Sequence, residues 1–221
     1  MKTYVVTHYA PRSHPSRDFW NISREHNGKW AGRLGWEFHA DEKRRLPDQL
    51  IYREKAAYLT ECMAGMDDGD RVLWLDGDAV ILRDPAAIWD ELGSADIGMT
   101  KFVRERWNSG VCAMAVNPVV RALWPEIQNH EHDWKIGFID TPLAENVCEM
   151  WRAHECADCP LPPGQRGPLC GSHKTRVVEL HRRWNEHWEM RNGDTRILGL
   201  HMMGAHRTLR CMKEALAWLP F

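Results

Sequence analysis

Arg71-Val72-Leu73-Trp74-Leu75-Asp76-Gly77-Asp78-Ala79-Val80-Ile81-Leu82 decides the reading of this chain. Val72 to Leu75 is an apolar run bounded by polar residues, the pattern of a buried strand. Asp76 and Asp78 follow where that strand ends, with Gly77 between them to let the backbone bend. Two carboxylates converging on one point suit a hard divalent cation, which takes oxygen ligands and commonly holds phosphates as well. An acidic turn that merely closes a strand has the same composition, because Asp and Gly are ordinary turn residues. The twelve residues alone leave both readings open.

The chain has 221 residues, 43% of them hydrophobic, enough to bury the core of one large domain or two small ones. There is no apolar stretch of about 18 residues, so a membrane span is excluded. Met1 to His8 reads as a short strand whose apolar run is too brief for a secretory signal. A cytoplasmic protein of a bacterium or a phage-infected host cell is expected. The 12 tryptophans suit core and groove walls, and any exposed ones would suit stacking on sugars or bases. The net charge of −2 hides an asymmetry. Residues 1–53 carry 10 Lys/Arg against 6 Asp/Glu, and residues 54–150 carry 8 against 18. Residues 151–191 carry 7 against 5, and residues 192–221 carry 4 against 2. The acidic block therefore holds the carboxylate pair. Its basic flanks read either as solvated surface or as a face for an anionic substrate.

Outward from the carboxylates, strands are expected at Tyr4 to Thr7, Gly35 to His39, Arg71 to Leu75, Ile97 to Thr100 and Cys112 to Val116. Helices are expected at Asp18 to Gly28, continuing through Ala31, at Leu46 to Met66, at Pro118 to Asn129 and at Thr141 to Ala153. A short helix begins at Pro85, where proline is tolerated. This alternation argues for an α/β fold with a mainly parallel sheet. In such sheets ligands bind at the carboxyl ends of the strands, where Asp76 and Asp78 would lie.

Several pieces fall in a familiar order. Thr7-His8-Tyr9 follows the first strand. Asn21 to Gly35 ends in Trp30-Ala31-Gly32-Arg33-Leu34-Gly35-Trp36. Arg53-Glu54-Lys55 opens a helix before the carboxylate strand, and Arg83-Asp84-Pro85 continues after it. Asn108-Ser109-Gly110-Val111, Phe138-Ile139-Asp140-Thr141-Pro142 with Asn146, Val178-Glu179-Leu180 and Trp184-Asn185 come next. His201-Met202-Met203-Gly204-Ala205-His206-Arg207 closes the series. The organisation resembles the GT-A class of nucleotide-sugar glycosyltransferases, with Asp76-Gly77-Asp78 as its DxD element. It departs from that class at Thr141 and Pro142, where a Gln is usual, and at Arg207, where a Lys is usual. The resemblance spans nearly the whole chain except residues 152–175. It implies a single Rossmann-type domain over 1–221, with a nucleotide-sugar-binding half (1–100) and an acceptor half (101–221).

The resemblance also implies roles. Asp78 and Asp76 would bind a divalent metal, with His201 completing the set. A histidine beside carboxylates favours Mn2+ over Mg2+. Bound to both phosphates of the donor, the metal would neutralise the leaving group as a Lewis acid. Thr7 and Tyr9 would border the nucleotide base, and Arg53 or Lys55 the base or ribose. Arg207 would pair with a phosphate through its planar fork, and Gly204 would let the backbone approach one closely. Asn108 and Asp140 are the candidate catalytic residues. Asp140 reads equally well as a helix N-cap before Thr141-Pro142. The His-x-x-Gly ending favours a retaining enzyme.

Residues 154–174 form a Pro/Gly-rich insertion with a separate signal. Cys156, Cys159, Cys170 and His173 make the pattern C-x2-C-x10-C-x2-H, which suits one tetrahedral structural Zn2+. Cys62, Cys112 and Cys148 sit in apolar patterns and read as buried thiols.

Two classes of function lead at this point, and a metal-dependent nucleotidyl or phosphoryl transferase, which shares the carboxylate pair, is a third. One is a metal-dependent glycosyltransferase using a nucleotide-sugar donor, with UDP-sugars first. Its acceptor is a soluble hydroxyl compound, either a protein, a glycan, or DNA carrying hydroxymethylated pyrimidines as in viral systems. A DNA acceptor would need base extrusion to bring its hydroxyl to the anomeric carbon. The other is a zinc-stabilised nucleic-acid-binding module without catalysis, which the acidic middle of the chain disfavours. The sequence does not specify an oligomeric state.

Overall fold

A computed structural model describes residues 1–9, 17–43, 54–102, 106–129, 176–200 and 205–217. The elements in order are β1 (Thr3–His8), α1 (Arg17–Leu34), β2 (Glu37–Asp41), α2 (Glu54–Met63), β3 (Arg71–Asp76), β4 (Ala79–Ile81), α3 (Ile88–Leu92), β5 (Ile97–Phe102), β6 (Arg106–Ala115), α4 (Pro118–Asn129), β7 (Val177–Glu179), β8 (Glu186–His187), β9 (Ile197–Gly199) and α5 (Ala205–Ala217).

Six strands form the central sheet in the order β2-β1-β3-β6-β5-β7. β1 pairs parallel with β2 and β3, and β5 parallel with β7. β6 is antiparallel to both β3 and β5. Only β6 is therefore reversed, and the sheet is mainly parallel as the sequence alternation implies. The buried runs Tyr4–Val6 and Val72–Leu75 explain why β1 and β3 are central, since a strand covered on both faces reads as continuously apolar. Their side chains alternate between two cores. Tyr4, Val6, Val72 and Trp74 face a core with Leu59 and Met63 of α2 and Leu123 and Trp124 of α4. Val5, Leu73 and Leu75 face the other, with Ala31 of α1 and Ile88 and Leu92 of α3.

A second sheet of three strands, β4-β9-β8, lies beyond the carboxylates. The sequence reading assigned no strand to 79–81 or 197–199, because runs of three residues carry too little periodicity. With α5 and part of α1 this sheet builds a third core around Val80, Leu198, Leu200, Cys211 and Met212.

Several boundaries differ from expectation for physical reasons. α1 runs to Leu34, past the expected Ala31. Gly35, expected to open a strand, instead ends this helix with φ 66°. Its N–H bonds Gly32 O and the Trp36 N–H bonds Ala31 O, the paired bonds of a Schellman ending that requires the left-handed region. α2 stops at Met63 and not Met66. Cys62 is half-buried, not buried, while Cys112 is fully buried. Cys211, which the sequence reading passed over, is buried on α5. Every tryptophan side chain among the described residues is buried or half-buried, as core and groove walls are.

Asp70 pins β3 to the N-terminus. Its carboxylate accepts the Lys2 N–H at 2.7 Å, the Asp67 N–H at 3.0 Å and the Tyr4 hydroxyl at 3.5 Å. The Lys2 backbone hydrogen bond is the main cause that holds this carboxyl below the ordinary aspartate range. A depressed carboxylate contributes stability above its unfolded pKa and loses it as pH falls through the folded one. D70N is therefore expected to be less stable than the native chain at neutral pH, with the gap narrowing in acid as pH falls through the folded pKa. Urea midpoints at neutral and acid pH check this, and a gap that does not narrow in acid would contradict it.

Candidate functional site

The carboxyl ends of β1, β2 and β3 bring His8, Asp41 and Asp76 level, in the registers His8↔Asp41 and His8↔Asp76. Asp76 follows Trp74 by two residues and so shares its face of β3. That is the α2 face. Trp74 Nε1 donates to Asp76 Oδ1 at 2.6 Å, and Lys55 Nζ on α2 donates to the same oxygen at 3.2 Å. Lys55 also lies 4.8 Å from the centre of the Trp74 ring and donates to Ser109 O. With Lys55 and Asp76 side chains only 12% and 21% exposed, this pair is poorly screened. His8 sits on the same side, its ring 5.2 Å from that of Tyr58 on α2, with Nε2 within 3.0 Å of Lys43 O.

A bulge in β6 delivers Ser109. Between the pairs Thr100↔Asn108 and Met99↔Cys112, β5 advances one residue while β6 advances four. Such irregularities re-aim groups next to active sites. Asn108 is buried, and its Oδ1 accepts the Gly110 N–H at 2.8 Å, stabilising the bulge.

Past Asp76 the chain turns through Gly77 into β4. A Cβ on Gly77 would lie 3.3 Å from Trp20 Cε3 and 3.4 Å from both His8 O and Tyr9 Cδ2, so glycine permits the close fit. Tyr9 stacks on Trp20 at 5.7 Å and meets Phe19 edge-on at 5.5 Å. The Thr7 side chain, one residue from His8, points to the opposite face of the sheet from Lys55. Its Oγ1 is buried with no hydrogen-bond partner among the described residues.

Asp78 enters β4, which pairs with β9 in the register Ala79↔Gly199. The Leu200 N–H then donates to Asp78 O at 3.3 Å. The last described residue before 201–204 is thus hydrogen-bonded to Asp78, although 122 positions separate them in the chain. Asp76, Gly77 and Asp78 are all half-buried. Two carboxylates of this exposure at a strand's end fit the oxygen chemistry of a hard divalent cation, whose shell is commonly filled out by substrate phosphates and water. Among the described residues no cluster of three or more His, Cys, Asp or Glu meets the requirements of a metal site.

The structure thus joins Lys55 and Trp74 to Asp76 and packs Tyr9 against Gly77 of the carboxylate turn, with Asn108 bracing the bulge at Ser109. Arg53, Asp140, His201, Gly204 and the Cys156, Cys159, Cys170 and His173 set lie outside the described residues. Arg207 falls in α5, but its side chain is likewise outside them. Sequence reasoning missed Trp74, legible in principle from its i, i+2 relation to Asp76. It also missed three side chains of α1. Ser23 Oγ donates to Gly77 O at 2.7 Å. Asn27 Nδ2 donates to Ala79 O at 2.9 Å, and Asn27 Oδ1 accepts the Ile81 N–H at 3.0 Å. His26 Nε2 donates to Ile81 O at 2.6 Å. Burial pushes the His26 pKa down, consistent with a neutral ring donating from Nε2.

No family model matches the chain, and no curated protein matches its sequence. Solved structures do match its fold. A glycosyltransferase involved in the glycosylation of the major capsid of PBCV-1 superposes with a TM-score of 0.69 at 10% identity, over 97% of this chain and 100% of that one. The bifunctional glycosyltransferase WbbM superposes with a TM-score of 0.54 at 9% identity, over 99% of this chain and 50% of that one. The chain has the fold of GT-A glycosyltransferases.

Proposed function

We propose that the protein is a metal-dependent glycosyltransferase that moves a sugar from a nucleotide-sugar donor to a hydroxyl acceptor. One observation carries this reading. Asp76 and Asp78 lie where β3 ends in a fold shared with glycosyltransferases, and the Leu200–Asp78 hydrogen bond ends β9 at the same turn. The next residue in the chain is His201, a third ligand of the type that favours Mn2+ beside carboxylates. When bound, the cation supplies Lewis-acid neutralisation of the leaving diphosphate.

The chain's own residues do the rest. Asp76 and Asp78 hold the cation, with Lys55 and Trp74 fixing the Asp76 carboxylate. Tyr9 borders the nucleotide, Arg53 the base or ribose, and Gly204 and Arg207 a phosphate. Asn108 braces the bulge that presents Ser109 O to Lys55, and Asp140 acts at the reacting sugar carbon, with retention of configuration. Cys156, Cys159, Cys170 and His173 hold a structural Zn2+ in the acceptor half.

The test is transfer from a panel of sugar nucleotides, UDP-sugars first, with and without Mn2+. The acceptor arms are glycan, protein and hydroxymethylated DNA. NMR of the new anomeric centre reads the stereochemistry. Mn2+-dependent transfer in any arm supports the proposal. Mn2+-dependent cleavage of the nucleotide with no sugar transferred would reassign the site to phosphoryl chemistry, and inactivity with every donor would remove the reading.

A further inference from the structure

We infer that Ser23 and Asn27 of α1, with His26 between them, are positioning residues for the carboxylate turn, and that α1 serves as a substitute strand along the open edge of β4. In a strand the backbone groups of alternate residues point to opposite edges. On one edge of this segment, Asp78 O accepts from Leu200 N–H and the Leu82 N–H donates to Arg196 O at 2.7 Å. The other edge belongs to residues 77, 79 and 81. There Gly77 O goes to Ser23, Ala79 O and Ile81 N–H go to the Asn27 amide, and Ile81 O goes to His26.

The spacing explains how one helix does this. Positions 23, 26 and 27 are i, i+3 and i+4, a single face of α1. All three side chains belong to residues at most 7% exposed, so their bonds to the backbone form out of reach of water. The Asn27 amide presents one donor and one acceptor together, the same pair a neighbouring strand would present. A buried backbone group left without a partner costs free energy, so these three side chains fix the path of the chain on both sides of Asp78. The backbone that carries the Asp78 carboxylate cannot shift without breaking one of them.

This inference rests on the reading of Asp76 and Asp78 as metal ligands, and its test separates the two. Mn2+ alone is titrated into the full-length chain, and free Mn2+ is read by electron paramagnetic resonance. Ser23→Ala is expected to weaken binding about 5-fold, the effect of one lost hydrogen bond, with its circular dichroism unchanged. Asn27→Ala removes two bonds and is expected to weaken binding further. Should it fail to fold, Ser23→Ala decides alone. Gly98→Ala serves as a stability control remote from the turn, since its Cβ would lie 2.8 Å from Leu180 Cδ2. It is expected to lower Tm and leave Mn2+ affinity unchanged. A folded Ser23→Ala protein that binds Mn2+ as tightly as the native chain overturns the inference while leaving the metal site standing. A native chain that binds no Mn2+ removes the metal site and the inference with it.

Discussion

Replacing Asp78 with Asn is expected to abolish sugar transfer and leave the fold in place. The two side chains are nearly isosteric. Its backbone oxygen, which accepts the Leu200 N–H at 3.3 Å, is untouched by the change. What is lost is one of the two charges that hold the cation. Stabilisation of a developing diphosphate charge by a metal is worth several kcal/mol, and each 1.36 kcal/mol is a factor of ten in rate. The expected loss is therefore about 10³-fold or more in kcat/KM. Mn2+ affinity should fall in parallel, with the circular dichroism spectrum and Tm within error of the native values. D78N protein that transfers sugar at the native rate would remove Asp78 from the chemistry.

How much of this site could be read from the sequence follows from the length over which each signal acts. The β3 strand and its two carboxylates are contiguous, so a single window contains both the apolar run and the acidic turn. α4 is similarly legible, and its limits, Pro118–Asn129, match the expectation. The strands β4 and β9 were not legible. Each is three residues long, and each exists because the other pairs with it from more than 100 positions away. The reversed strand β6 has the same origin. Its apolar pattern identifies a strand, but direction is set by connections and not by composition. Asn108 illustrates the limit at the level of one residue. The run Asn108-Ser109-Gly110 marks something special, yet only the register of β5 shows that it is a bulge presenting Ser109 O to Lys55. The α1 residues were invisible for another reason. Ser23, His26 and Asn27 are polar positions on a helix, where the usual expectation is a solvated face. Their burial depends on a strand edge that the sequence does not reveal.

Replacing Lys55 with Met is expected to lower kcat/KM by about 10²-fold, the cost typical of removing one fixed donor from a site of developing charge. Lys55 joins three separate elements: it reaches from α2 to Asp76 on β3 and to Ser109 O in the β6 bulge. Its ammonium also lies over the Trp74 ring at 4.8 Å. Met keeps the aliphatic stem and its packing against Trp74 but removes all three donors. Asp76 then retains the Trp74 N–H at 2.6 Å and loses the Lys55 ammonium. The pair is mostly buried, with side chains 12% and 21% exposed, and breaking it carries a stability cost of about 1–3 kcal/mol, below that of a fully dry pair because Asp76 keeps some water. Lys55→Arg separates the two contributions. It restores the charge, so stability should recover in part. The wider planar guanidinium cannot reproduce the point contact with both Asp76 Oδ1 and Ser109 O, so activity should stay low. A Lys55→Met protein that loses stability while keeping native kcat/KM would make the lysine a structural tie between α2 and β6, and the positive charge at the donor end would have to come from another residue.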